Sequence, residues 1–305
     1  MKYDIIWPYY KDFKYFFRCI KQINNQSILA TNLIFINDGN NFSFLEDTLR
    51  KSLNSKINLI YIKNTKNIGA ALSLEQNFKK IQSEYFYNIA TDDLISRFFI
   101  EKSLKPLITR KSVAFIFSNS IYKIEKNKRK VKIKFPFFVN NKFYFSKEVI
   151  NIFKKYQFKI YHNTIIFNSK IFLKKNLFKE IYGKECDMIN LIYLSFKHGF
   201  IYLNKELAHF IIRKGQQGKE AKKIYKQIEI LKILKKRERG FYFLFTKLGL
   251  HFDIIPLGII KLLFNNLYEA INIKWFLRSF KFYLWKKIRY IFPEWFIIFL
   301  FKYFK

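Results

Sequence analysis

The chain has 305 residues, half of them hydrophobic, which is enough for one large domain or two ordinary ones and excludes general disorder. Its 57 lysines and arginines exceed its 22 acidic residues by 35, a charge that attracts nucleic acid or an anionic membrane. Lys, Asn, Ile, Phe and Tyr are abundant together, as in AT-rich coding sequences, so we assign part of this excess to composition bias.

Targeting and redox signals are sparse. Only two cysteines occur, Cys19 and Cys186, which excludes a disulfide framework and a cysteine zinc site and fits a reducing cytoplasm. Residues Met1–Tyr10 lack the charge and apolar core of a secretory signal. The apolar stretch Trp295–Phe301 is far shorter than the roughly 20 residues that span a bilayer. We therefore expect neither export nor a membrane-crossing helix.

The first ninety residues alternate between short apolar runs and segments with helical spacing, a pattern typical of a parallel sheet covered by helices. Strands are predicted at Tyr3–Trp7, Asn32–Asn37, Ile57–Ile62 and Tyr85–Ala90. Helices are predicted at Asp12–Gln22, Phe44–Leu53 and Ala70–Gln82. The first strand is expected to stop at Pro8, and the fold class is α/β.

The middle of the chain continues this alternation. Strands are predicted at Val113–Ser118 and Thr164–Asn168, a charged hairpin or loop at Ile121–Phe135, and helices at Phe143–Phe153, Ile171–Glu180 and Asp187–Lys197. Gly199 is expected to end the last of these helices as its C-cap.

The composition shifts near Gly218. Residues 219–305 contain 19 basic and six acidic residues and three of the four tryptophans, with helical spacing at Ile224–Leu234 and Trp275–Tyr290. Helices with basic and aromatic faces are typical of a membrane interface. The alternative is a helical subdomain whose aromatic residues form an ordinary core. We predict two domains, residues 1–218 and a helical tail, 219–305, that associates peripherally with membrane.

Polar residues follow four successive strands, where an α/β sheet places its binding site. These segments are Pro8–Lys11, Asn37–Gly39, Asn67–Gly69 and Asp92–Asp93. Two adjacent aspartates suit Mg²⁺ or Mn²⁺, which prefer carboxylate oxygens and leave positions open for phosphate. Such a pair before a helix is also a common N-cap, so both interpretations stay open.

The order of four segments resembles family 2 inverting glycosyltransferases. They read IIWPYYK, LIFINDGN, NTKNIGAA and YNIATDDLISRFFIEKSLKPL, where the family has Pro-x-Tyr-Asn, Asp-Asp-Gly-Ser, Asn-x-Gly and Asp-x-Asp-Asp. The segment HNTIIFNSKIFLKKNLFKEIYGKECDMINLIYLSFKHG resembles the acceptor side, and AHFIIRKGQQG resembles the closing strand and loop. The resemblance covers residues 1–218. It implies the GT-A fold, a Rossmann-like, mostly parallel sheet with flanking helices, here followed by the basic, aromatic-rich helical extension.

The resemblance also implies the roles of individual residues. Binding of a nucleotide-sugar donor is assigned to Pro8, Tyr10, Asp38, Asn67 and Asp92. Asp92 and Asp93 would hold a divalent cation, Mn²⁺ or Mg²⁺, on the donor diphosphate. Asp187 would be the catalytic base that deprotonates the acceptor hydroxyl.

Several positions differ from the family pattern. Lys11 replaces an asparagine, Asn37 and Ala90 each replace an aspartate, and Cys186 replaces the glutamate before the base. The motif can be aligned in two registers, so that either Asp92 or Asp93 is the metal ligand. Glu185 is the alternative base.

Two further segments are weaker candidates. The loop with Arg213, Lys214, Gly215 and Gly218 could contact a diphosphate, although it lacks the spacing of a P-loop. The four histidines show no metal-ligand spacing, but His209 on the late strand could face the site.

The predicted function is sugar transfer to a glycan or lipid-linked acceptor in cell-envelope polysaccharide synthesis, on the cytoplasmic face of the membrane. A catalytically degenerate GT-A domain acting as a membrane-bound partner is the alternative, motivated by Asn37 and Ala90. A nucleic-acid-binding protein is a weaker one. The positive charge is spread along the chain and the aromatic RNA-binding signature is missing, so no nucleic acid partner is expected.

Overall fold

The computed structural model describes residues 1–124, 130–156, 158, 160–212 and 224–247. Contacts within the chain separate two compact units, Met1–Gly218 and Lys219–Lys305, and each is taken by itself below. The loop with Arg213, Lys214, Gly215 and Gly218 lies outside the described residues.

The amino-terminal half of the first unit consists of βα units. Its elements are β1 (Tyr3–Tyr9), α1 (Phe13–Asn24), β2 (Asn32–Asn37), α2 (Leu45–Ser52), β3 (Asn58–Lys63), α3 (Ala70–Asn77) and β4 (Tyr85–Asn88). The four strands pair in parallel in the order β3-β2-β1-β4. Because β1, β2 and β4 are buried on both faces, their sequences are nearly continuous apolar runs.

The remaining elements of the first unit extend the sheet. They are β5 (Leu94–Ile95), α4 (Phe99–Ile108), β6 (Phe115–Ile124), β7 (Lys130–Ile133), β8 (Lys142–Tyr144), α5 (Ser146–Tyr156), β9 (Ile165–Asn168), α6 (Ser169–Lys174), α7 (Cys186–His198) and β10 (Phe200–Ile212). The sheet continues from β4 through β9, β6 and β10 to β5, while β7 pairs with β6 and β8 with β10. Strand β9 is antiparallel to both neighbours, and β10 is parallel to β6, so the sheet is mixed.

Most predicted elements are confirmed, with corrections at their ends. Strand β1 does not stop at Pro8, which pairs with Ile36 inside the parallel ladder. The helix predicted from Phe143 begins only at Ser146, because the preceding residues form β8 against β10. Helices α3 and α6 end earlier than predicted, at Asn77 and Lys174. The C-cap at Gly199 is confirmed, with φ of 68°.

A buried carboxylate fixes the end of the sheet opposite the predicted site. Asp4 is completely buried and accepts hydrogen bonds from Asn32 Nδ2 at 2.8 Å, Gln82 N at 2.7 Å and Ser83 Oγ at 2.6 Å. These bonds tie β1 to β2 and to the turn before β4. A buried charge is tolerated only when it is satisfied in this way, so this aspartate is structural.

The second unit is described only over α8 (Ile224–Arg237) and α9 (Arg239–Lys247). Helix α8 confirms the helical spacing from Ile224 to Leu234, whereas the segment Trp275–Tyr290 lies outside the described residues. Among the helices that the structure describes, none is long and apolar enough to cross a membrane.

Candidate active site

The loops after β1, β2 and β3 meet at one edge of the sheet. Tyr9 is in register with Asn37, and Asn37 with Lys63, so the residues that follow these strands lie side by side. Backbone hydrogen bonds extend the register, from Asp38 N to Tyr9 O and from Asn64 N to Asn37 O, each 2.9 Å. The predicted meeting of strand ends is therefore confirmed here.

Asp38 organises the loop between β3 and α3. Its carboxylate, only 2% exposed, accepts hydrogen bonds from Asn64 Nδ2 at 2.9 Å, Ile68 N at 3.0 Å and Gly69 N at 2.9 Å. A carboxylate offers about four acceptor positions, so roughly one is left for the N–H of a ligand. Asp38 thus holds the loop in addition to the ligand role inferred from the family.

Asn67 is brought against the β2 loop by Gly39. Gly39 has φ of +75°, and a Cβ placed on it would lie 2.2 Å from Asn67 N and 2.2 Å from the Lys66 carbonyl carbon. The two loops therefore pack backbone against backbone, which only glycine permits at this position.

Tyr10 lies beside the same loop. Its hydroxyl hydrogen-bonds with the side chains of Lys11 and Asn67, and the Lys11 ammonium lies 4.9 Å from the centre of its ring. The Lys11 hydrogen bond, followed by the one to Asn67, lowers the pKa of Tyr10. Tyr10, Asp38 and Asn67, which the resemblance assigned to the donor, thus lie together at this edge of the sheet, with Asp38 buried. Pro8, half-buried in the ladder of β1, lies just before it.

The structure explains why asparagine occupies position 37, where the family has aspartate. Its amide nitrogen donates to Asn40 O at 2.9 Å and to the Tyr61 hydroxyl at 3.0 Å, and its amide oxygen accepts from Asn40 N at 2.8 Å. An aspartate could not donate to the Asn40 carbonyl. The departure from the family pattern at Asn37 therefore stabilises the β2 turn.

Asp92 and Asp93 occupy different environments. Asp93 is 4% exposed and its Oδ2 accepts from Ala90 N at 3.3 Å, whereas Asp92 is half-buried. Burial, followed by the charge of Asp92, raises the pKa of Asp93 to about 8. Two side chains of α1 fix the backbone of the pair, because Arg18 Nη2 donates to Asp92 O at 3.0 Å and Gln22 Nε2 to Asp93 O at 3.1 Å.

The raised pKa of Asp93 gives the stability a pH dependence. An unfolded aspartate titrates near pH 4, so between about pH 4 and pH 8 the unfolded state releases a proton that the folded state keeps. Stability therefore falls as the pH rises through this window. Because asparagine is neutral throughout this range, we expect Asp93→Asn to reduce the pH dependence of stability. The measurement is the free energy of unfolding in urea at several pH values, with a chelator present. An equal slope in variant and wild type would contradict the assignment.

His209 lies next to the acidic pair. It pairs with Leu94 where β10 runs antiparallel to β5, and its Nδ1 is buried without a hydrogen-bond partner. Burial, followed by the charges of Lys123 and Lys130, lowers the pKa of His209 and favours the neutral ring. Within the described ranges, no group of three His, Cys, Asp or Glu residues could by itself hold a metal ion. A carboxylate such as Asp92 suits a divalent cation that takes its remaining ligands from a diphosphate.

Asp187 lies in the first turn of α7, at the positive end of the helix dipole. It is half-buried, and its Oδ1 accepts from Met188 N at 2.7 Å. Glu185, the alternative base, is the N-cap residue and is also half-buried. Cys186 between them is buried, which raises the pKa of its thiol, so this thiol is not a nucleophile.

His162 is the residue near Asp187 that the sequence analysis missed. Its ring packs 5.6 Å from Phe167 and 6.3 Å from Phe178. Burial lowers the pKa of His162, and the nearby Asp187 carboxylate partly opposes this effect. His162 and Asp187 are 25 positions apart in the sequence and lie on different elements, so no sequence motif indicates that they are neighbours. Their proximity is seen only in the folded structure.

Comparisons with known proteins agree with this architecture. The family model for glycosyl transferase family 2 matches residues 4–172. The structure of S. aureus TarS 1–349 in complex with UDP-GlcNAc has a TM-score of 0.64 at 14% identity, covering 92% of this chain and 79% of that chain. Mannosyltransferase PcManGT from Pyrobaculum calidifontis, in complex with GDP-Man and Mn²⁺, has a TM-score of 0.52 at 12% identity. The match covers 91% of this chain and 72% of that chain.

A search of curated proteins found no match. The family model covers more than half of the chain, and the solved structures share the mixed sheet and its flanking helices. The chain therefore belongs to glycosyl transferase family 2 and is a glycosyltransferase with the GT-A fold.

Proposed function

We propose that this glycosyltransferase moves a sugar from a nucleotide-sugar donor to a glycan or lipid-linked acceptor in cell-envelope polysaccharide synthesis, inverting the anomeric centre. The observation that carries the proposal is the meeting of Tyr10, Asp38 and Asn67 at the carboxyl edge of the sheet. The UDP-GlcNAc complex of TarS and the GDP-Man complex of PcManGT support the choice of donor class.

The donor site begins at Tyr10. Its ring offers a stacking face for the base, and the remaining acceptor position of Asp38 suits a base N–H. Pro8 and Asn67 border this surface. The positive charge of Lys11 beside Tyr10 favours the anionic end of the donor. These contacts bind and orient the nucleotide and leave its sugar free to react.

Asp92 is the proposed metal ligand. Asp93 is the weaker choice, because its buried carboxyl keeps a proton up to about pH 8 and already accepts from Ala90 N. Bound Mn²⁺ or Mg²⁺ would neutralise the charge on the leaving diphosphate. The chain's own contribution is the placement of these groups through Arg18 and Gln22, which fix the backbone of the acidic pair.

Asp187 is the proposed catalytic base. Its carboxylate accepts the proton of the acceptor hydroxyl while that oxygen attacks the anomeric carbon and the bond to the diphosphate breaks. The hydrogen bond from Met188 N leaves Oδ2 for the acceptor and keeps the carboxylate at the helix N-terminus. His162 is a titratable side chain that interacts electrostatically with this carboxylate. One base and direct displacement give inversion.

The two units take different roles in this proposal. Residues 1–218 form the catalytic domain, and residues 219–305 form a basic, aromatic-rich helical tail that associates with the cytoplasmic face of the membrane. The charge and tryptophan content of the tail support this role. Peripheral attachment would bring a lipid-linked acceptor to the catalytic domain.

A thermal-shift titration tests the donor and metal sites together. The protein is titrated with UDP, GDP, CDP and dTDP, each with and without Mn²⁺. We expect one nucleotide to raise the melting temperature in a metal-dependent way, since a ligand bound only by the native state stabilises it. Asp92→Asn should abolish the Mn²⁺-dependent part, and Asp93→Asn, its matched control, should keep it. Equal losses in both variants would contradict the choice of Asp92, and no response to any nucleotide would contradict the donor site.

A further inference from the structure

Four phenylalanine side chains form an exposed patch on the first unit. Phe13, Phe17, Phe42 and Phe44 are 39%, 51%, 42% and 46% exposed. Phe13 lies at the centre, with its ring 5.6 Å from that of Phe17 and 6.0 Å from those of Phe42 and Phe44. We call this cluster the phenylalanine patch. Its four rings are in mutual contact through Phe13.

The patch lies outside the main hydrophobic core. Helix α1 supplies the core through Phe16, Cys19, Ile20 and Ile23, which form its buried stripe, whereas Phe13 and Phe17 extend from this stripe to the surface. With about 200 Å² for a phenylalanine side chain, the four rings expose on the order of 350 Å² of apolar surface. A continuous apolar area of this size commonly marks an interaction site.

Basic side chains lie on the α1 side of the patch. Lys11, Lys14 and Lys21 are exposed on or directly before this helix. Acidic residues are present as well. Asp12 is the half-buried N-cap residue of α1, and Asp47 and Glu46 lie in the first turn of α2, where Glu46 is paired with Arg50 at 2.6 Å. Aromatic side chains bordered by lysines complement an anionic bilayer, because the rings enter the interfacial region and the ammonium groups contact lipid phosphates.

We propose that the phenylalanine patch is a membrane-contact surface of the catalytic unit itself, which inserts its rings into an anionic phospholipid bilayer. The four side chains belong to the first unit, and the proposal does not depend on the identity of the donor or acceptor. Phe13 follows Tyr10 by three residues and Phe42 follows Asp38 by four. The contact would therefore bring the donor end of the site close to the lipid surface.

A polarity-sensitive dye tests insertion at the patch directly. Both native cysteines, Cys19 and Cys186, are buried, so a cysteine introduced at the surface is the accessible one within the described ranges. We expect a dye on Phe44→Cys to shift to the blue when vesicles of equal parts phosphatidylglycerol and phosphatidylcholine are added. The same dye on Phe145→Cys, a position that is 60% exposed and lies outside the patch, should not shift. No shift at position 44, or equal shifts at both positions, would overturn the proposal.

Vesicle sedimentation of the full chain measures the strength of the contact. Phe13→Ser/Phe17→Ser should lower the partition coefficient on the same vesicles by about tenfold, because two half-exposed rings no longer enter the bilayer. Phe145→Ser is the matched control and should bind as the wild type does. Unchanged binding of the double variant would contradict the proposal. Concentration-dependent dimerisation without vesicles, lost in the double variant, would instead identify the patch as an interface between two copies of the chain.

Discussion

Replacement of Asp187 by asparagine is expected to lower the turnover of sugar transfer by about 10²- to 10⁴-fold while nucleotide binding stays unchanged. Asparagine has the same shape and can still accept the hydrogen bond from Met188 N, so the start of α7 is preserved. It cannot accept the proton of an acceptor hydroxyl at neutral pH. The measurement is kcat with a saturating donor, beside a thermal-shift titration with the nucleotide.

Glu185→Gln is the matched control for this prediction. Glu185 lies two residues before Asp187, is similarly half-buried and is the alternative base. We expect this variant to keep most of the activity. The acidic limb of the pH–rate profile should disappear only in Asp187→Asn, since that limb reports protonation of the base. Full activity of Asp187→Asn together with loss in Glu185→Gln would transfer the role of base to Glu185.

Replacement of Gly39 by alanine is expected to destabilise the first unit by about 3 to 5 kcal/mol and to weaken nucleotide binding. The added Cβ would lie 2.2 Å from backbone atoms of Lys66 and Asn67, and the φ of +75° is unfavourable for any L side chain. The β2 and β3 loops would have to separate. Because Tyr10, Asp38 and Asn67 meet across this contact, urea unfolding and nucleotide titration should change together.

Gly69→Ala separates backbone strain from the steric clash between the loops as causes of the lost stability. Gly69 has a similar φ of +89°, but a Cβ placed on it meets nothing within 4 Å. At its ψ of 148° this is a conformation that essentially only glycine adopts, so we expect a loss of about 1 to 3 kcal/mol from backbone strain, with nucleotide binding largely kept. If the two alanine variants lose equal stability, backbone strain alone explains the loss in Gly39→Ala, and the contact between the loops contributes nothing measurable to stability.

The meeting of the segments after β1, β2 and β3 could be predicted because each segment is local in sequence. Each polar segment directly follows an apolar strand, and parallel pairing of consecutive βα units brings such segments to one edge. Asn32–Asn37 was predicted with the bounds that the structure gives to β2. Helices α1, α2 and α7 could also be predicted, because apolar residues at helical spacing mark the face of a helix that is buried.

The remaining features depend on contacts between distant segments. Strand β5 has two residues and exists only because β10 pairs with it, so no local signal predicts it. The different environments of Asp92 and Asp93 follow from packing against α1 through Arg18 and Gln22. The chain contains 38 phenylalanines, so the sequence alone does not distinguish the four that form the exposed patch from those in the core.

The pairing of β10 with β5 has a consequence for synthesis on the ribosome. Strands β1 to β4 are complete once residue 88 has left the exit tunnel, so the loops of the proposed donor site can form early. Leu94 and Ile95 gain their partners only when Ala208 and His209 emerge, more than a hundred residues later. We therefore expect the nascent chain to fold in two stages, and the acidic loop to be the last part of the catalytic centre to become protected from proteolysis.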